Sequence, residues 1–333
     1  MQPKCTKDLY CQFLIAAQTD YTATGMSDGY RGAKTELAHD SVTRYLKKTK
    51  LTPAQLWPEV EPLVLKDSGF LVIDDMTIEK NRSYSLPMSS WHWSGSAHDV
   101  VRGLNVVNML WTGGEEHIPV DFRLYAKSDD GMTRNQHVHD MLHLAKHRQF
   151  NPEAVVFDTW YSSQANLNLI QQLGWIWYAP LRENRIVDYT NHLKDLEFSE
   201  EELITGKQVQ LKLVGPIRVF KFIAKDGDIE YWATNNLNAT SQDASNARVM
   251  RWNVEEFHRA LKQTTGINKC QARNNRAQRT HIFCSIRSFI ILECYRLRTQ
   301  TTWYEAKKQI IREAIQTYLQ NPLIPLPDSM ASA

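Results

Sequence analysis

Two four-residue runs constrain this chain most: Phe70-Leu71-Val72-Ile73 and Ala154-Val155-Val156-Phe157. Each is apolar at every position, the pattern of a strand covered on both faces. Such strands need a sheet with helices packed on either side. Leu104 to Trp111 and Ile118 to Tyr125 add two strands, joined through the Gly113-Gly114 turn. Thr133 to Arg148 and Ser162 to Leu173 carry helical patterns, and Trp175 to Pro180 returns to strand after Gly174. This order predicts an α/β fold with a mixed sheet. Active groups in such sheets gather at strand ends, where loops and helix termini converge. Both apolar runs lead into acid there: Asp74-Asp75 after the first, Asp158 after the second.

A third carboxylate lies on a helix. From Arg251 to Lys262, Val254, Phe257 and Leu261, with Trp252 beside them, recur at helical spacing and define a buried face. Arg251, Glu255, Arg259 and Lys262 follow a three-to-four-residue step on the neighbouring face. Phosphodiester cleavage needs an in-line water, a stabilised leaving oxygen and charge neutralisation at phosphorus. Two divalent metals held by carboxylates supply all three. Hard Mg2+ or Mn2+ prefers such oxygen donors.

In these residues the chain resembles the DDE transposases of bacterial insertion sequences, in the cut-and-paste group with a Tyr-x2-Arg-x3-Glu-x6-Lys signature. Arg251, Glu255 and Lys262 fall on its Arg, Glu and Lys. Ile73-Asp74-Asp75-Met76-Thr77 is similar to the first family motif, with Asp75 at the catalytic position, and Val155-Val156-Phe157-Asp158 to the second. Pro119 to Tyr125 is similar to the strand between them, and the resemblance runs from Leu63 to Thr299. It implies a ribonuclease-H-like mixed sheet with a β-rich insertion and an N-terminal helical domain. It also implies Asp75, Asp158 and Glu255 as catalytic ligands of two Mg2+ or Mn2+ ions, Asp75 shared by both. Arg251, Lys262 and, less centrally, Arg259 would hold the DNA backbone. Transposon ends and target DNA are the implied partners, with a homodimer in a synaptic complex. One position departs: Arg248 stands where the family has Tyr. Arg can grip a phosphate as a fork donor but lacks the stacking hydroxyl contact. Two alternatives stay open, a copy that binds DNA without cutting and a nuclease on the same fold.

The rest of the chain is organised around that core. Residues 1–62 predict short helices. The one with Ser41, Thr43, Arg44, Lys47 and Lys48 suits either a helix-turn-helix-like DNA reader or a plain helical cap. Residues 63–180 carry the first part of the core. In 181–236, Val209, Leu211 and Leu213 alternate with polar residues, and a hairpin turns at Asp226-Gly227, as a β-rich insertion would. Residues 237–320 complete the core with helices, and 321–333 predict a loose tail. Charge is uneven: between Arg248 and Arg298 eleven Lys and Arg face three acids, a local +8 in a chain of net +2. That excess fits a phosphate-facing surface.

His137, His139, His143 and His147 share one predicted helix, and the last three are spaced for zinc. Val138, Met141 and Leu142 already supply the buried face, which favours an exposed histidine stripe. Trp91 and Trp93 sit in a polar loop and could stack on an unpaired base or pack in the core. Cys5, Cys11, Cys270, Cys284 and Cys294 are odd in number, and no pair has CxxC spacing. This indicates reduced thiols and neither a disulfide framework nor a zinc ribbon. With no apolar run near the roughly 20 residues of a membrane span, and no signal segment, the expected location is the bacterial cytosol, by the nucleoid.

Overall fold

A computed structural model describes residues 4–31, 36–81, 83–95, 98–224 and 227–321. The N-terminal segment forms α1 (Lys7–Ala16), α2 (Ala23–Asp28), α3 (His39–Lys48) and the short α4 (Trp57–Val60). Then come β1 (Phe70–Glu79), β2 (Ser90–Ser94), β3 (Asp99–Thr112), β4 (Ile118–Tyr125), α5 (Lys127–Asp130), α6 (Arg134–His147), β5 (Ala154–Phe157), α7 (Gln164–Gln172) and β6 (Trp177–Leu181). Next are β7 (Ile186–Val187), β8 (Asn191–His192), α8 (Glu200–Thr205), β9 (Lys207–Leu211), β10 (Gly215–Ile223) and β11 (Ile229–Thr234). The chain closes with α9 (Ser241–Thr264), α10 (Asn275–Thr299) and α11 (Trp303–Gln320). The tail beyond Asn321 and the Asp226 turn residue lie outside the described residues.

One mixed sheet runs through the molecule in the order β2-β3-β1-β5-β6-β11-β10-β9-β7-β8, with β4 on the same edge of β3 as β2. β1, β5 and β6 are parallel and central. β11 pairs antiparallel with β6, so the strands after β6 continue the same sheet. The fold is a ribonuclease-H-like mixed α/β architecture.

Two local expectations are corrected. The first strand does not stop at Ile73 but continues through both aspartates to Glu79. Met76 and Ile78 alternate with polar neighbours, a half-buried strand pattern that follows the fully apolar run. Trp91 and Trp93 lie on strand β2, not in a loop; they project to solvent while His92 and Ser94 are buried.

The helix α10 is the hub. Ile282, Phe283, Ile286, Phe289 and Ile290 are buried in the main core. Two of its buried polar side chains reach α1: His281 meets the Tyr10 hydroxyl at 2.9 Å, as well as the Gly266 carbonyl at 3.0 Å, and Ser288 donates to the Cys11 carbonyl at 3.1 Å. These bonds fasten α1 to the core. Val42, Tyr45 and Leu46 of α3 are buried, while Arg44, Lys47 and Lys48 stay exposed. The loop after α9 depends on Gly266, whose φ is +61° and whose added Cβ would stand 2.5 Å from the Tyr21 ring. Gly266→Ala is therefore expected to cost roughly 1–3 kcal/mol, read as a lowered urea midpoint with unchanged slope. An unchanged midpoint would contradict it. All five cysteines are free thiols, and no helix among the described residues is long and apolar enough to cross a membrane.

Candidate active site

β1 and β5 run side by side from Phe70 opposite Ala154 to Ile73 opposite Phe157. Beyond that they part, and the next residue on each is an aspartate, Asp74 and Asp158. Side chains alternate across a strand. Asp74 thus shares a face with Phe70 and Val72, and Asp158 with Ala154 and Val156. Ala154, Val156 and Phe70 pack with Ala244 and Ala247 of α9, which identifies this as the α9 face. The cross-strand partner of Asp74 confirms the side: Asn108 pairs with it and meets His258 of α9 at 3.0 Å.

Asp75 alternates to the opposite face of β1 but still lines the cavity that holds Asp74 and Asp158. Its Oδ1 accepts from the Tyr161 hydroxyl at 2.6 Å, its Oδ2 accepts from the Asn105 amide, and Arg134 lies 3.4 Å away. Arg134, at the start of α6, is held between the Tyr125 and Trp160 rings, each 5.4 Å away. Asp158 Oδ1 accepts from the backbone N–H of Trp160 at 2.9 Å and Tyr161 at 3.3 Å.

α9 is a 24-residue helix opened by a Thr240–Asp243 capping box. Val254, Phe257 and Leu261 are buried as their spacing predicts. Trp252 is not part of that face and is 47% exposed. Glu255, Arg259 and Lys262 face the carboxylates across a cavity of about 940 Å³, also lined by Asp74, Asp75 and Asp158. Arg251 donates to Glu255 Oε1 at 3.1 Å. Arg248 is engaged elsewhere: it pairs with Glu230 at 2.8 Å and lies 4.5 Å over the Phe222 ring.

Burial, then the nearby Asp158 and Asp75 charges, push the Asp74 carboxyl well above its usual range. Burial and the Asp75 charge push Asp158 up to about 6. Burial, helped by Lys262, lowers His258 to about 3, so its ring is neutral. Carboxylates crowded until they resist ionising form a seat for a cation. Among the described residues no three His, Cys, Asp or Glu side chains close to coordinating distance. Asp74, Asp75, Asp158 and Glu255 line the one cavity, and Glu255 is paired with Arg251. The histidine stripe forms no such group either; His139 bonds Asn166 at 2.8 Å and His137 is buried.

Several site residues carry no sequence motif. Trp91, Trp93 and Trp160, 66%, 63% and 55% exposed, rim the cavity. Arg182, just past β6, stands where that cavity meets two grooves, one lined by Arg248, Arg251 and Trp252, the other by Arg185 and Lys212. A strand running into a polar residue marks Arg182 as it marks Asp158, but a lone cation there is a weak signal.

Residues 65–290 match the family model described as "Transposase DDE domain". The chain belongs to that family. Among solved structures, this DDE-family chain is similar to the piggyBac transposase, determined as a synaptic complex with hairpin DNA. The TM-score is 0.53 and the identity 10%, over 96% of this chain and 72% of that one. A weaker likeness, to the Drosophila P element transposase strand transfer complex, has a TM-score of 0.28 at 14% identity, over 59% of this chain and 40% of that one. No curated protein matches. The first likeness shows the fold, and the family match makes DNA strand chemistry the frame for the carboxylate cavity.

Proposed function

We propose that this chain is a transposase of the insertion-sequence type, acting in the bacterial cytosol. It binds the terminal inverted repeats of its element, cuts the phosphodiester there and joins the freed 3′-hydroxyl to target DNA. The observation that carries the proposal is the crowding of Asp74 and Asp158 on one face of the sheet, opposite Glu255, inside a family whose members work on DNA. The donors are all carboxylate oxygens, which fits Mg2+ or Mn2+. Asp158 and Glu255 keep the roles their motifs imply. For the β1 ligand, motif position favours Asp75 and geometry favours Asp74; we assign it to Asp74, with Asp75 positioning Tyr161 and Arg134. Two bound divalent ions would supply water activation and charge neutralisation at phosphorus.

The residues around them orient the DNA. Arg259, Lys262 and Arg182 are placed to hold phosphates on either side of the scissile one, and Arg251 is available once Glu255 turns to a cation. Neutral His258 can hydrogen-bond but adds no charge. The tryptophan rim offers π faces to an unpaired base. A homodimer on paired ends completes the proposal. A duplex bearing the element's end should be nicked by the protein with Mg2+ and not with EDTA. A second outcome, tight end binding without nicking, is favoured by one observation: Arg248, at the signature's Tyr position, is tied to Glu230 and Phe222. Nicking without end preference would instead indicate a nuclease.

A further inference from the structure

Four acids and four Lys or Arg residues line the carboxylate cavity. Arg259 and Lys262 stand on α9 with Glu255, and Arg182 lies just past β6. The fourth cation, Arg134, enters from the side on which Asp75 lies. It belongs to no motif of the sequence.

Arg134 is the first residue of α6, a start fixed by a capping box between Thr133 and Gln136. Its guanidinium is then held on several sides. The Tyr125 ring at the end of β4 and the Trp160 ring after β5 each lie 5.4 Å away. Arg134 donates to His92 Nδ1 at 3.4 Å, and the other nitrogen of that ring meets the Ser90 hydroxyl at 2.9 Å. Burial, then the Arg134 charge, lower His92 to about 4, so the ring is a neutral acceptor.

Asp75 is a neighbour of this guanidinium and does not consume it. The separation from Oδ2 is 3.4 Å, longer than the roughly 2.7–2.9 Å of a charge-assisted hydrogen bond. Both Asp75 oxygens already accept, one from the Tyr161 hydroxyl and one from the Asn105 amide. A guanidinium carries five N–H donors in a planar fork, so the contacts with His92 and Asp75 leave part of it for another oxygen. The side chain is 20% exposed and lines the cavity. One short turn ties it to the carboxylates: Asp158 accepts from the Trp160 and Tyr161 N–H groups, Trp160 lies against Arg134, and Tyr161 bonds Asp75.

We propose that Arg134 is a further catalytic residue, contacting a non-bridging oxygen of the scissile phosphate from the Asp75 side, opposite Arg259 and Lys262. The proposal rests on the transposase reading of the same cavity. Charge spreads over those oxygens in the transition state, and a donor already fixed between two rings stabilises it without reorganising. Arg134 does not help to seat a cation in this role, because its own positive charge opposes one nearby.

The test compares the wild type with Arg134→Gln, Arg134→Lys, Asp75→Asn and the double variant Arg134→Gln/Asp75→Asn. Single-turnover nicking of an end duplex is measured, together with Mg2+ calorimetry on the protein without DNA. Arg134→Gln should lower the saturating nicking rate about 10²-fold while duplex affinity changes less than about threefold. Arg134→Lys, which keeps the charge but not the fork, should recover about tenfold of that loss. Arg134→Gln should bind Mg2+ as tightly as the wild type or up to about tenfold more tightly, since a cation has left the cavity. The double variant should nick at least about tenfold more slowly than Asp75→Asn. A double variant no slower than Asp75→Asn, or Mg2+ binding weakened in Arg134→Gln as in Asp75→Asn, would show that Arg134 only props Asp75 and would overturn the proposal. Should Arg134→Gln fail to fold, Arg134→Lys carries the comparison, with nicking about tenfold slower than the wild type and Mg2+ affinity unchanged. A wild type that does not nick fails the transposase reading, whereas an active wild type beside an equally active Arg134→Gln fails this inference alone.

Discussion

Asp158→Asn is expected to lower metal-dependent nicking at least about 10³-fold, about 4 kcal/mol of transition-state stabilisation, while leaving DNA binding intact. The substitution keeps the shape and the cap on Trp160 and Tyr161 but removes the charge a cation needs. Asp74→Asn and Glu255→Gln should have losses of the same order. Asp75→Asn should cost only about 10–100-fold, as for a residue that orients a ligand from behind, and should weaken apparent Mg2+ affinity in step. The reverse ranking, Asp75 severe and Asp74 mild, would return the β1 ligand to Asp75.

Stability gives an independent readout. Asp158 is held up to about 6 from an ordinary 3.8. A raised carboxyl contributes stability that is full below about pH 3.8 and is lost as pH rises through about 6. Across that window the metal-free wild type should therefore lose on the order of 1–3 kcal/mol more than Asp158→Asn. At pH 7 the metal-free Asn variant should melt higher than the wild type. Mg2+ at a hundred times its Kd should restore about 2.7 kcal/mol to the wild type and little to the variant. A wild type whose melting ignores Mg2+ would sink the metal assignment.

Glu293→Ala is expected to be the most destabilising single change in the helical part of the fold. Glu293 is fully buried in α10. It accepts from the His117 backbone N–H at 2.8 Å, from Arg296 Nε at 2.8 Å, from a second Arg296 nitrogen at 2.9 Å, and from the Trp303 indole at 2.5 Å. One carboxylate thereby joins the β3–β4 turn, α10 and α11. Removing it leaves the half-buried Arg296 guanidinium with only the Glu115 carbonyl and leaves a buried indole N–H unpaired, at about 3–5 kcal/mol and a fall in Tm of roughly 5–15 °C. Burial opposes the charge here, but Arg296 and His117 outweigh it and hold the carboxyl down to about 2 from 4.5. A lowered carboxyl contributes stability present above about pH 4.5 and lost as pH falls toward 2. Over that range the wild type should give up on the order of 2–3 kcal/mol more than Glu293→Ala. Equal acid sensitivity in both proteins would show that Glu293 is not the group responsible.

Much of this molecule is legible locally. Ile118–Tyr125 and Ala154–Phe157 are strands at the bounds their apolar patterns predict, and the helix through Val254, Phe257 and Leu261 buries the predicted face. Alternation and helical spacing are properties of neighbouring residues, so they survive in one dimension. Met76 and Ile78 carried the same kind of signal past Asp75, masked by the two aspartates. The three carboxylate segments were also readable, because each belongs to a short pattern of its own.

What the sequence could not decide is which side chains meet. Motif position in the sequence favours Asp75 over Asp74, but it carries no contacts. Only the register of β1 against β5 turns Asp74 toward α9 and leaves Asp75 with Tyr161, Asn105 and Arg134. Arg248 reads as a broken motif in one dimension and as a paired residue over Phe222 in three. The basic run from Arg248 to Arg298 is one block in the sequence, yet it separates into a cavity wall, internal ion pairs and a separate cleft joined by Lys47 and Lys50. Helical periodicity sets the face of each cation, but sheet order and helix packing choose its neighbours. Those depend on contacts between segments more than two hundred residues apart, which no local pattern encodes.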